Sequence, residues 1–68
     1  MKNTLGKNIK NLRKASGMTQ RAFAAAMGTT QQRVSEWERD KIEPSLYNVV
    51  KILKIFGATF EELTDDIY

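Results

Sequence analysis

Residues 20–39 read QRAFAAAMGTTQQRVSEWER, and the order of small, turn-forming and apolar positions in this stretch decides the fold. Two short helices can cross at roughly 90 to 120 degrees over a tight turn only if their close-approach positions are small and the turn admits a left-handed residue. Ala24 and Gly28 meet those two demands. Counting Gln20 as the first of twenty, Ala24 is fifth, Gly28 ninth, Val34 fifteenth and Trp37 eighteenth. That is the spacing of a helix-turn-helix. The same packing also occurs as a plain helical hairpin in unrelated bundles, so geometry alone leaves both readings open.

Outward from this stretch the apolar spacing remains helical, with no strand alternation, and predicts an all-α chain. Before it, Leu5, Ile9 and Leu12 follow an i, i+4, i+7 pattern behind Asn3 or Thr4 as N-cap, giving a first helix over about 4–15 that ends before Gly17. Within it, Thr19 caps a second helix over about 20–27, with Ala22, Phe23, Ala26 and Met27 as its stripe and Gly28 as its stop. Thr30 caps a third over about 31–39, with Val34, Trp37 and the stem of Glu38 turned inward. After it, Ser45 caps a fourth helix whose stripe is Leu46, Val49, Val50, Leu53 and Phe56, ending at Gly57. Thr59 caps a short fifth helix carrying Phe60, Leu63 and Ile67, with Glu61 and Glu62 complementing its dipole. Trp37, Phe23, Phe56 and Phe60 are all predicted to be core; for Trp37 the alternative, stacking on a base, conflicts with its phase relative to Val34.

The chain has 68 residues, no Cys and no His, which suits one small domain spanning 1–68 and excludes a disulfide framework, a thiol nucleophile and an imidazole base. An enzyme is not expected, nor a cofactor or metal. Glu61, Glu62, Asp65 and Asp66 have no partner base or glycine-rich pocket beside them in sequence, so they read as dipole complement and solubility. Its longest apolar run, Ala22 to Met27, is far short of the roughly 20 residues that cross a bilayer, and a cytoplasmic protein is expected. Charge is unevenly placed, with a balance of +6 over residues 1–39 and −3 over the rest. The N-terminal part can therefore face a polyanion, and the C-terminal end cannot.

Several spaced motifs, M-T-Q at 18–20, G-T-T-Q-Q at 28–32 and W-E-R-D-K at 37–41, together with Arg13, E-P-S at 43–45 and F-G-A-T-F-E-E-L at 56–63, resemble the phage-repressor and Cro-like family, also named after the xenobiotic response element. The resemblance covers essentially the whole chain. It implies a five-helix, lambda-repressor-like domain that binds double-stranded operator DNA, usually as a dimer, with the third helix in the major groove. It also implies a partly buried ion pair between Arg13 and Glu38, a backbone clamp at Gln20, base reading by Gln31 and Gln32, and a phosphate contact at Lys41. One departure is Asp40, where the family has Gly or Asn in a left-handed turn. Asp tolerates that conformation but adds negative charge near the DNA.

Residue chemistry points the same way. A helical wheel places Gln31, Gln32, Ser35, Glu36 and Arg39 on the outer face of the third helix. A glutamine amide matches the N6 donor and N7 acceptor of adenine, so Gln31 and Gln32 suit base edges. Glu36 either accepts from cytosine N4 or pairs along its own helix with Arg33 or Arg39. Gln20 opens the second helix, where free N–H groups and the positive dipole end favour a phosphate. The Thr30 hydroxyl divides between capping and DNA, with the cap dominant. Arg33, Arg39, Lys7, Lys10 and Lys41 supply the sequence-independent attraction that a polyanion needs.

The expected function is a sequence-specific DNA-binding transcriptional regulator, a repressor occupying operator half-sites. The alternative is an antitoxin-like protein-interaction module using its acidic C-terminal end. The apolar end formed by Phe60, Leu63, Ile67 and Tyr68 exceeds what one terminal helix buries for itself, which predicts a weak twofold homodimer forming on DNA.

Overall fold

The computed structural model describes residues 3–67; Lys2, counted above among the basic residues, and Tyr68, placed above in the apolar end, lie outside the described residues. The architecture is all-α, as predicted: α1 (Leu5–Ala15), α2 (Gln20–Met27), α3 (Gln31–Glu38), α4 (Leu46–Phe56) and α5 (Phe60–Leu63). Each begins at a hydroxyl cap, with Thr4, Thr19, Thr30, Ser45 and Thr59 accepting from the backbone N–H three residues on. Each cap satisfies a donor the helix cannot satisfy itself, for about 1 kcal/mol. α5 adds the reciprocal bond, Thr59 N–H to Glu62 Oε1, which completes a capping box.

α2 and α3 meet over the turn at Gly28, whose φ of 72° ends α2 in the left-handed region. Between them and the other helices lies one core, built on Ile9, Phe23, Val34, Trp37, Ile52 and Leu63. Phe23 of α2 stacks on Phe56 of α4 with ring centroids 4.8 Å apart, which fixes the side that α4 turns inward. α5 is held to α1 by buried Asn8, whose Nδ2 donates to the carbonyls of Leu63 and Asp65, each at 2.9 Å. Lys51 of α4 donates from Nζ to the Met27 carbonyl at 3.0 Å, satisfying an acceptor left free at the end of α2.

α1 and α3 approach closely at Gly6. A Cβ placed on Gly6 would lie 2.3 Å from the Trp37 carbonyl oxygen and 2.8 Å from that of Glu38. Only a residue without a side chain lets the two backbones come this close. Asp40, in the left-handed region at φ 58° as its side chain permits, turns its carboxylate away from α3 and onto the start of α1. There Oδ1 accepts from Gly6 N–H at 2.9 Å and Oδ2 from the Thr4 hydroxyl.

Several expectations from the sequence are corrected. α3 ends at Glu38, with Arg39 as its C-cap. On α2 the inward positions are Phe23, Ala24 and Met27, while Ala22 and Ala26 face solvent. On α4 they are Val49 and Ile52, flanked by Leu53 and Phe56, while Leu46 is 76% and Val50 47% exposed. Phe60, read as core, is 59% exposed, because the Asn8 bonds seat α5 on its Leu63 side. Of the apolar end named above, Leu63 is fully buried, Ile67 is half-buried and Phe60 is exposed.

Candidate nucleic-acid interface

α3 shows opposite faces of different chemistry. Val34, Trp37 and Glu38 point inward, and Trp37 is only 2% exposed, so its ring is core and not available to a base. Gln32 and Arg39 stand on the outer face with half-buried Ser35 and Glu36 between them, a stripe at i, i+3, i+4 and i+7. Gln31 is exposed in the first turn, but it precedes Glu38 by seven residues and so stands above the Glu38 edge rather than at the centre of the stripe. Arg33 Nε and Glu36 Oε1 are 4.0 Å apart, the outer limit of an ion pair, with Arg33 well exposed. Such a pair on a helix surface contributes only about 0.3 to 0.5 kcal/mol, so a phosphate or a base can displace it cheaply.

The Thr30 hydroxyl oxygen accepts from Arg33 N–H at 3.1 Å, which uses a lone pair and leaves the hydroxyl hydrogen free to donate. Capping and a DNA contact are thus compatible at this one group. Lys41 is exposed in the turn after α3, and its backbone N–H is engaged by the Glu36 carbonyl at 2.9 Å, which fixes the turn. Lys10 is exposed on α1, four residues after Gly6 and three before Arg13, so it lies beside the edge of α1 that meets α3. Lys7 is exposed on the same helix.

Behind the outer stripe, Arg13 and Glu38 meet in a forked pair: Nε to Oε2 at 2.6 Å and Nη2 to Oε1 at 3.1 Å, with the side chains 9% and 2% exposed. Arg13 Nη1 also donates to the Met18 carbonyl at 2.8 Å. Every polar group of this cluster has a partner, as buried charge requires. Gln20, half-buried at the first position of α2, joins it by donating from Nε2 to Glu38 Oε1 at 3.0 Å. Sequence reasoning did not find this last bond, because nothing in the spacing of Gln20 and Glu38 shows that two helices bring them together. It likewise missed the roles of Gly6, Asp40 and Lys51, and the carboxylate of Asp40 does not face the α3 surface as its sequence position suggested.

The backbone of the acidic end is tied to the fold, while the side chains of Glu61, Asp65 and Asp66 are exposed. Glu62 closes the α5 capping box, and the backbone carbonyls of Asp65 and Asp66 accept from Asn8 and Asn3.

Residues 9–63 match the family described as Helix-turn-helix. The chain is 33% identical over 57 residues to the HTH-type transcriptional regulator PuuR of Escherichia coli, covering 84% of this chain and 31% of that protein. It thus spans about a third of that relative's length. It is 30% identical over 63 residues to the uncharacterized HTH-type transcriptional regulator y4dJ of Sinorhizobium fredii, covering 93% of this chain and 82% of that one. Among solved structures, the P22 c2 repressor protein in complex with synthetic operator 9T superposes with a TM-score of 0.82 at 26% identity, covering 90% of this chain and 92% of that chain.

Proposed function

Since this chain belongs to the helix-turn-helix family, we propose that it is a sequence-specific DNA-binding transcriptional regulator, a repressor that acts in the cytoplasm by occupying operator half-sites. The observation that carries this is the outer face of α3. A helix pinned from behind by Val34, Trp37 and a buried ion pair presents only polar side chains outward, at a spacing that reaches neighbouring base pairs. In this reading Gln31, Gln32, Ser35 and Glu36 meet base edges. Gln20, Thr30, Arg33, Arg39, Lys41 and Lys10 meet phosphates and set the register. The likeness to a repressor solved on operator DNA and to transcriptional regulators supports the same docking.

The reading includes a homodimer on DNA, with half-site centres one helical turn apart, roughly 10 base pairs. The exposed apolar patch that supports it best is on α4, where Tyr47 is 77% exposed beside Leu46 and Val50, a larger patch than Phe60 offers at the chain end. A twofold axis through such a patch sets it against itself. Selection of bound sites from a random DNA pool tests the function and the half-site spacing together. Enrichment of one inverted-repeat motif is expected, and a pool that yields no sequence preference refutes the proposal.

A further inference from the structure

The carboxylate of Glu38 accepts three hydrogen bonds, two from the Arg13 fork and one from Gln20 Nε2 at 3.0 Å. The first two suffice to tie α1 to α3. The third reaches α2, at the helix end where free backbone N–H groups face outward. A carboxylate paired with a guanidinium offers only lone pairs, so the Gln20 amide has a single orientation against it, with an Nε2–H on Glu38 and the carbonyl oxygen turned from the carboxylate. That NH2 carries two hydrogens. Glu38 takes one, and the other is left for an acceptor beyond the helix end.

We propose that Glu38, itself held by Arg13, is a positioning residue for the DNA backbone: it fixes the Gln20 amide so that a donor, and not the carbonyl oxygen, faces a phosphate. The proposal rests on the reading of Gln20 as a phosphate contact. Freed from Glu38, the terminal amide torsion is broad and roughly two-fold, so the amide would turn its oxygen towards the phosphate in part of its population and be repelled. Arg13 acts twice in this arrangement. Its fork locks the carboxylate, and its charge cancels a negative group that would otherwise stand one side chain behind the phosphate. The phosphate contact on α2 is thus set by residues of α1 and α3, and it is correctly aimed only when all three helices are docked.

A double-mutant design tests this. Arg13→Met with Glu38→Leu replaces the ion pair by apolar side chains of similar size, an exchange that buried pairs often tolerate, and Trp37 emission with a thermal melt reports whether the fold is kept. In the unaltered background, Gln20→Ala should lower affinity for non-operator duplex about tenfold, as for a lost hydrogen bond to a charged group. In the Arg13→Met/Glu38→Leu background the same substitution should cost a smaller factor, about fivefold or less, because about half or more of the freed amides are turned the wrong way. An equal factor in both backgrounds overturns the positioning role and leaves Gln20 as a phosphate contact. No effect of Gln20→Ala in the unaltered background overturns both. Side-chain amide NMR of the unaltered protein gives an independent answer whether or not the paired variant folds. The two Nε2 protons of Gln20 should be well separated and slow to exchange before DNA is added, and duplex should then shift the proton that does not face Glu38. Two averaged, rapidly exchanging protons in the free protein overturn the proposal.

Discussion

Substituting Gly6 by alanine separates the local preferences of the sequence from the demands of the fold. Gly6 lies inside α1, where replacing glycine with alanine should by itself stabilise a helix by up to about 1 kcal/mol. The structure predicts the opposite sign. The new methyl would meet the Trp37 carbonyl oxygen at 2.3 Å, the Asp40 carboxylate at 2.7 Å and the Glu38 carbonyl oxygen at 2.8 Å, whereas ordinary contact starts at 3.4 Å. Two of the three obstacles are backbone, so α1 must retreat from α3 by about 1 Å. Overpacking of this kind costs about 1 to 3 kcal/mol or more, and the retreat also strains the Gly6 N–H bond to Asp40, worth about 1 kcal/mol. After the helix-propensity gain, a net loss of about 1 to 3 kcal/mol is expected, a large part of the stability of so small a domain. Urea unfolding followed by Trp37 emission measures it. A Gly6→Ala protein as stable as the parent would refute the description of the α1–α3 seam.

Gln31→Ala or Gln32→Ala should cost about 1 to 3 kcal/mol on selected operator DNA, with little change on non-operator duplex, as measured by fluorescence anisotropy with both DNAs. Equal losses on the two would mean that α3 does not read sequence. Binding should weaken with salt with a log–log slope near −5 for a dimer that neutralises about six phosphates, and affinity indifferent to salt would contradict the docking. Tyr47→Glu should abolish cooperative binding to paired half-sites while a single half-site is bound as before, since Tyr47 is exposed on α4 and contributes nothing to the core. Unchanged cooperativity in a two-half-site gel-shift titration would place the twofold contact elsewhere.

What the sequence made legible was what short-range chemistry decides. Five hydroxyl caps and the left-handed residues Gly28 and Gly57 set the helix ends, because a cap and its N–H partner lie three residues apart. The outer face of α3 was legible for a similar reason: Val34 and Trp37 are apolar and their neighbours are not, so one wheel has one solution. α4 was not legible in this way. Leu46, Val49, Val50, Ile52 and Leu53 offer two apolar stripes, and the choice between them is made by the Phe23–Phe56 stack and by where Leu63 docks, both contacts between elements distant in sequence. Phe60 was misplaced by the same ambiguity, since a four-residue helix has too few positions to show a period.

The residues that sequence reasoning missed share one physical character. In a helical pattern Gly6 reads as a mild defect, Asp40 as an unfavourable charge and Gln20 as a phosphate clamp with no link to Glu38, and the fold role of each becomes visible only when the helices are brought together. Gly6 gives the separation, Asp40 satisfies the start of α1 at that separation, and Arg13 holds Glu38 where Gln20 can reach it. These contacts lie along one seam, so they cannot be independent. A change that widens the seam at Gly6 should loosen the grip of Arg13 on Glu38, seven residues further along α1 and on the same side of that helix, and with it the aim of Gln20. Partial rescue of Gly6→Ala stability by a shorter side chain at position 40 would therefore not by itself restore DNA affinity, because the carbonyls of Trp37 and Glu38 would still hold the helices apart.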